Sequence, residues 1–248
     1  MSLYDFFNYL GFAALIVFNL TRAREQRSSL GSLSQALRSR FSSASQSSAL
    51  RRTLSGAAFW AVAELLILSC VQYAPAVFLN QPFGELVGTG ANYFASLYLL
   101  PLFLAAGCSF LGQDFFATTE RITPALPLAL SFAKLGCFFG GCCGGITITL
   151  PSGPAFAFPI QLLESAVAAL LFAALLYFRE TLPPGTHFPA YLISYSAIRF
   201  FTEFLRHEEA EFLIFKRYHL FCAIGVALGL LEWYLVRKYP EKVKKFFT

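Results

Sequence analysis

The sequence predicts an all-α integral membrane protein: one domain, residues 1–248, of seven transmembrane helices, with the N-terminus outside and the C-terminus cytoplasmic. Three observations carry this. Hydrophobic residues make up 56% of the chain and charged residues only 13%. Apolar runs close to the ~18 residues that a bilayer span requires recur along its length. Basic residues gather in two places, after the first run and at the C-terminal end, and such segments stay on the cytoplasmic side. The net charge of +5 therefore reflects membrane topology, and nucleic-acid binding is not expected.

The first run, Tyr4 to Leu20, is just long enough to span at about 1.5 Å per residue. It lacks the basic start and small-residue cleavage site of a removable signal, so it is expected to remain as a helix. Residues 21–55 form a Ser-rich loop carrying Arg22, Arg24, Arg27, Arg38, Arg40, Arg51 and Arg52 against the single acid Glu25. That charge places the loop in the cytoplasm, with Leu33, Leu37 and Phe41 able to lie on anionic headgroups. The second helix is expected from Gly56 to Val77, followed by an outer loop, Leu79 to Gly90. The third covers Asn92 to Leu111, and Asp114, Glu120 and Arg121 mark a cytoplasmic turn. The fourth, Ile122 to Phe138, runs back outward.

Residues 139–158 contain no spanning run and are expected to form an outer loop or re-entrant segment, which is tolerated at membrane depth only where protein or water surrounds it. The fifth helix covers Pro159 to Phe178, the sixth Phe188 to Leu205 and the seventh Leu220 to Val236. Lys238, Lys242, Lys244 and Lys245 end the chain on the cytoplasmic side. Arg179 inside and Arg206, Lys216 and Arg217 outside fit the charge rule less well. No internal repeat of the kind found in transporters built of inverted halves is present.

Ionisable groups inside such helices are costly unless they face a partner or water, so each is a candidate site residue. On the sixth helix Tyr195, Arg199, Glu203 and Arg206 fall along one face. The Arg199 guanidinium offers a planar fork of donors suited to a phosphate, and Glu203 one turn on can steady it. Gln161, Glu164 and Ser165 share a face of the fifth helix at matching depth, where Glu164 can pair with Arg199 or accept a proton. Lys134 lies one turn before Cys137 and can bind phosphate, favour a neighbouring thiolate or reach the headgroups. Glu64 and Glu232 are also intramembrane and carry no assigned role.

The densest chemistry lies in Lys134-Leu-Gly136-Cys137-Phe-Phe-Gly-Gly-Cys142-Cys143-Gly-Gly145. Cys70, Cys108 and Cys222 stand alone on apolar helices and behave as small hydrophobes. Cys137, Cys142 and Cys143 combine C-x4-C-C spacing with flanking glycines on the oxidising face of the membrane. A disulfide, a catalytic thiolate, close helix packing and, less fittingly for want of a fourth ligand, a structural zinc site all remain open.

Three segments, Lys-Leu-Gly-Cys-Phe-x-x-Gly-Cys-Cys-x-Gly, Pro159-Ile-Gln161-Leu-Leu-Glu164 and Tyr195-x-x-x-Arg199-Phe-x-x-Glu203-Phe-x-Arg206, resemble in this order the prolipoprotein diacylglyceryl transferase family. The resemblance covers roughly Gly107 to Val236 and implies a seven-helix enzyme of the bacterial inner membrane. It also implies transfer of the diacylglyceryl group of phosphatidylglycerol to the thiol of a lipoprotein precursor, with release of glycerol phosphate. By resemblance Tyr195 and Arg199 line the phospholipid site, Glu203 and Arg206 match that motif's other charged positions, and Gln161 and Glu164 match a Gln-x-Tyr-Glu segment with Leu163 at the Tyr. Along the family's Gly-Arg-x-Gly-Asn-Phe-x-Asn-x-Glu element, Lys134 stands at the Arg, Cys137 and Gly140 at the two Asn, and Cys142 at the Glu. The family's His-Gly element has no counterpart, the histidines being His187, His207 and His219.

Chemistry limits what the cysteines can do. A thioether is a poor leaving group, so a Cys142 or Cys143 that accepted the diacylglyceryl group would be a dead end, whereas a thioester passes an acyl group onward. The expected catalytic set is Arg199, Glu203, Tyr195, Glu164, Cys142 and Cys143, with Lys134, Gly136, Cys137, Gln161 and Arg206 binding substrate. No cofactor and no metal is assigned. The rival expectation is a membrane thiol, redox or metal-handling protein working through the cysteines alone.

Overall fold

A computed structural model describes residues 2–11, 13–19, 21, 91–111, 114–149, 153, 155–207, 214–241 and 243. The expected second helix, the basic loop 21–55, the outer loop before residue 91, Glu64 and Cys70 lie outside these residues.

The described chain is almost wholly helical: α1 (Leu3–Asn19), α2 (Ala91–Leu111), α3 (Phe115–Ile122), α4 (Ala125–Phe139), α5 (Ile160–Tyr177), α6 (His187–Glu203) and α7 (Arg217–Lys238). Among the described residues, three helical stretches are long and apolar enough to cross a membrane: Phe115–Phe139, Ile160–Tyr177 and Tyr218–Lys238. The apolar parts of α1 and α2 are shorter. Exposed Leu162, Leu170, Tyr177, Phe201, Leu220 and Leu230 turn apolar side chains outward, as a lipid solvent favours.

Two boundaries differ from the sequence expectation. The charged segment around Asp114 is not a bare turn: the Asp114 carboxylate accepts the Ala117 N–H at 2.9 Å and caps α3, which buries Phe115, Thr118, Thr119 and Ile122. Helix α3 then passes through Thr123 and Pro124 into α4. At the other end α6 stops at Glu203, so Arg206 lies beyond the helix it was expected to occupy. Beyond Glu203 the amides of Phe204, Leu205 and Arg206 bond three residues back, and Lys216 Nζ donates to the carbonyl oxygens of Glu203 at 2.8 Å and Arg206 at 2.6 Å, a cation at a helix C-terminus.

The core gathers Phe94, Leu97 and Leu104 of α2, Leu126 and Leu130 of α4, Tyr191, Leu192 and Tyr195 of α6 and Cys222 of α7. Cys108 and Cys222 are fully buried there and serve as small hydrophobes. Helices α4 and α5 meet at Ser131 and Ser165, whose hydroxyls lie 3.1 Å apart while Ser165 Oγ donates to the Ser131 carbonyl at 2.9 Å. Phe7 of α1 stacks on Phe139 at the end of α4, with ring centroids 5.0 Å apart.

The described residues between α4 and α5 are non-helical, and the backbone of several of them is satisfied from two sides. Thr147–Ile148 (β1) pairs antiparallel with Phe156–Ala157 (β2) in the register Thr147 with Ala157 and Ile148 with Phe156. Just before β1, Gly145 N donates to the Phe158 carbonyl at 3.1 Å, and Ile146 N to the Leu205 carbonyl at 2.9 Å. His207 N donates to the Gly144 carbonyl at 3.2 Å. The strap is thereby stitched to the chain that follows α6. It approaches so closely at Gly145 that a Cβ there would collide with the Phe158 carbonyl oxygen and lie 2.9 Å from that of Leu205.

Gly145→Ala is therefore expected to destabilise by about 1–3 kcal/mol, read as a fall of about 3–10 °C in the apparent thermal midpoint in detergent. Gly144→Ala, whose Cβ would meet nothing within 4 Å, is the matched control and should leave the midpoint unchanged.

Candidate active site

The polar face of α5 begins with Gln161 and Glu164, both buried, while Leu162 and Leu163 between them are exposed. The period of the helix alone produces this division. Glu164 is placed where α4 and α6 converge, and three cations reach its carboxylate. Lys134 Nζ of α4 lies 2.7 Å from Oε2. Arg199 of α6 donates from Nη1 to Oε1 at 2.7 Å. Arg206 donates from Nη1 to both oxygens at 3.2 Å. On its other side Arg199 holds Glu203 with Nη2 to Oε2 at 2.6 Å, and its guanidinium carbon sits 5.8 Å from the centre of the Tyr218 ring.

Arg199, Glu203 and Arg206 are each no more than 4% exposed and Glu164 is 8% exposed, so these charges are desolvated and their mutual contacts decide their energies. Three cations face two carboxylates. The two carboxylates alone leave one positive charge over, and Cys143, next to Lys134 and Arg206, is placed to offset it as a thiolate.

A narrow space between α4, α5 and α6 opens beside the cluster, lined by Leu130, Lys134, Glu164, Leu171, Tyr195 and Arg199. Its volume is about 20 Å³, room for little more than one water, so anything larger enters only as side chains part. A wider open groove of about 480 Å³ lies on the other side, lined by Cys142, Cys143, Gly144, Gly145, Thr147, Ala157, Arg206 and His207. Arg206 borders this groove and touches Glu164, and so connects the two spaces. A third cavity, of about 410 Å³ and nearly all apolar, is lined by Pro101, Phe115, Phe188, Glu232 and Val236. It is larger than the narrow space but shares no residue with the charged cluster, so size alone does not mark the site here.

The cysteines are gathered by the turn that ends α4. Cys137 is on the last helical turn, and Cys142 N returns to its carbonyl at 3.1 Å. Gly141 and Cys143 both take left-handed conformations, φ +67° and +59°. The second is unusual for a residue with a Cβ and folds the chain back on the helix end. Gln161 Nε2 fixes the turn by donating to the Cys142 carbonyl at 2.6 Å. The three Sγ atoms of Cys137, Cys142 and Cys143 lie within 4.8 Å of one another, and no disulfide joins them. The Cys143 thiol is held well below the ordinary thiol range by a hydrogen bond from the Cys137 thiol and by the charges of Lys134 and Arg206, against the opposing effect of burial.

Of the residues singled out in the sequence, Lys134, Glu164, Arg199, Glu203 and Arg206 form one connected cluster. Gln161 and the three cysteines adjoin it. Tyr195 lines the narrow space beside Glu164 and Arg199, and its ring packs on Tyr93 with centroids 5.0 Å apart. Gly136 faces elsewhere: a Cβ there would lie 3.1 Å from the Tyr4 carbonyl, so its small size serves the packing of α1 on α4. Lys216 was not foreseen. Its only trace in the sequence is a cation on the side expected to be outside, where the charge rule disfavours one.

Comparison with known proteins follows the same residues. A family profile described as prolipoprotein diacylglyceryl transferase matches residues 86–235, which include every member of the cluster. The phosphatidylglycerol–prolipoprotein diacylglyceryl transferase of Chlorobaculum tepidum is 30% identical over 224 residues, covering 73% of this chain and 75% of that protein. The chain belongs to the prolipoprotein diacylglyceryl transferase family. The enzyme of the same name from Vibrio vulnificus is 31% identical over 151 residues, 53% of this chain and 55% of that one. One from Clostridium tetani is 32% identical over 111 residues, 40% of this chain and 45% of that one.

If Glu164 is what holds Lys134, Arg199 and Arg206 together, Glu164→Gln should cost about 3–5 kcal/mol, because it removes the carboxylate charge that all three contact and leaves only Glu203 beside Arg199. Adding Lys134→Met should recover part of that loss in a double-mutant cycle of unfolding free energies. Additive losses would show that the three cations do not depend on Glu164.

Proposed function

We propose that this family member transfers the diacylglyceryl group of phosphatidylglycerol to the thiol of an acceptor, a lipoprotein precursor or another thiol-bearing substrate, in a bacterial inner membrane. The observation that carries this is the buried convergence of three cations, Lys134, Arg199 and Arg206, on the single carboxylate of Glu164. The family and the names of its relatives supply the reaction class. The full architecture proposed is a single seven-helix domain with the N-terminus outside, which puts the cluster and the Gly-Cys strap at the outer leaflet.

In the reaction the acceptor sulfur attacks the glycerol carbon of the diacylglyceryl group. The C–S bond forms as the C–O bond to phosphate breaks, and the electron pair leaves with the phosphate oxygen. The phosphodiester begins with one negative charge and departs as glycerol phosphate carrying a second. Charge therefore develops on phosphate in the transition state, where desolvated guanidinium groups already in place stabilise it most. Arg199 and Arg206 are the proposed phosphate ligands, Glu203 holds Arg199, and Glu164 keeps the cations in register. Lys134 adds a third positive charge. Cys142 and Cys143 line the acceptor side of the groove, and Tyr195 lines the narrow space on the donor side. The acceptor's proton passes to solvent in the groove.

Purified protein given headgroup-labelled phosphatidylglycerol and a cysteine-containing lipobox peptide is expected to release labelled glycerol phosphate in step with thioether formation. Arg199→Ala should lower kcat about 10²–10³-fold. Undiminished turnover in Arg199→Ala would reject the charged cluster as the site. Thiol chemistry that survives this substitution but stops on alkylation of the cysteines would favour a redox protein instead. Lysolipid in place of glycerol phosphate would identify acyl transfer through an enzyme thioester.

A further inference from the structure

We propose that Cys137, Cys142 and Cys143 form a three-thiolate site for a thiophilic, zinc-type metal ion whose remaining coordination position faces the outer groove and takes an external thiol. Three independent features of the structure support it. The first is distance. Thiolates bound to zinc at about 2.3 Å lie roughly 3.8–4.0 Å from each other in trigonal or tetrahedral geometry. The three Sγ atoms already fall within 4.8 Å of one another, so side-chain rotation of a fraction of an ångström per thiol closes the set.

The second is the backbone that brings them together. A disulfide needs two cysteines and a packed turn needs none, yet three thiols converge because Gly141 and Cys143 both adopt left-handed conformations in the turn after α4. A Cβ-bearing residue in that region is held there by its surroundings, here by Gln161 on the Cys142 carbonyl and by the stitching of Gly144 and Gly145 to the α6 end. Such backbone rigidity is what a metal site requires of its ligands.

The third is charge. Three thiolates and one divalent ion sum to a single negative charge. Lys134 and Arg206 stand next to the cysteines and would offset that charge.

The ligand set also specifies the kind of site. Soft thiolates select zinc or copper(I) over hard cations. Among the described residues no fourth His, Cys, Asp or Glu joins the three, and three protein ligands with an open fourth position is the arrangement of reactive rather than structural zinc. Cys142 and Cys143 line the groove of about 480 Å³, so the open position is reached from outside. A thiol entering it forms a sulfur–metal bond and gives its proton to water, becoming a bound thiolate at neutral pH. This last role rests on the thiol-acceptor function proposed above. The metal site does not.

The test uses the full-length protein in detergent under reducing conditions, titrated with Zn²⁺ against a competing chelator and examined by X-ray absorption at the zinc edge. One zinc per chain is expected, with three sulfurs at about 2.3 Å and one lighter atom. N-acetylcysteine should convert this to four sulfurs. Cys137→Ser, Cys142→Ser and Cys143→Ser should each weaken binding at least about 10-fold, and their thermal midpoints establish that they fold. Less than one equivalent bound by the wild type, or binding retained when all three cysteines are serine, would overturn the site. Copper(I) bound by three sulfurs with no response to N-acetylcysteine would overturn the open position. Arg199→Ala should keep zinc binding while losing lipid transfer, so failure of the transferase function and failure of the metal site give different results.

Discussion

The carboxylate of Glu164 is the contact on which the other parts of the site depend. Lys134 comes from α4, Arg199 from α6 and Arg206 from the turn beyond α6, and all three direct their charge at it. Burying a charge is tolerated when its partners are close and correctly directed, and here the partners sit on different helices. The requirement to meet at one carboxylate therefore fixes the axial register of α4, α5 and α6 against one another. Apolar packing alone tolerates sliding, since one aliphatic contact replaces another at similar cost. A guanidinium shared between carboxylates on two helices does not tolerate it.

The same region contains the least regular backbone among the described residues. The described residues between Gly140 and Phe158 leave the helix, and their N–H and C=O groups need partners other than a helical ladder. They find them in β1 and β2 and in the carbonyls of Phe158 and Leu205. Closure of the strap onto the chain after α6 places Arg206 beside Cys143. Arg206 is thereby within reach of Glu164 on one side and of the cysteine turn on the other, and the irregular strap and the ion cluster form one structure.

How much of this the sequence discloses depends on whether a residue's position follows from local periodicity. Helices α4 to α7 are legible as apolar runs, and their observed bounds fall within a few residues of those runs. The convergence of Arg199 with Glu203 is legible too, because four residues along a helix is one turn. Arg206 reaches the same carboxylate by a different route. Its i+11 spacing predicts a place on the helical stripe, but α6 has ended, and a tertiary strand contact at Gly145 brings the side chain in. Lys216 and the left-handed Cys143 are illegible for a related reason. The first acts on carbonyls that only an ended helix exposes, and the second takes a backbone conformation that nothing local favours. Gly136 shows the converse: a glycine inside a chemical motif whose smallness serves helix packing.

The narrow space beside the cluster holds about one water, and this bears on how a phospholipid headgroup engages it. A phosphate cannot simply be added, since each guanidinium already directs donors at a carboxylate. It must exchange with one. Glu203 is fully buried and is tied to Arg199 one turn away on the same helix, so no movement of one helix against another separates them. Glu164 stands on a different helix from all three of its cations, so small motions of α5 against α4 and α6 relax its contacts with no loss of backbone hydrogen bonds. On the proposed function, Glu164 is then a placeholder that keeps Arg199 and Arg206 apart and oriented until phosphate takes over part of its coordination. Because Arg206 also borders the open groove, the same displacement is felt on the acceptor side, where Cys142 and Cys143 stand.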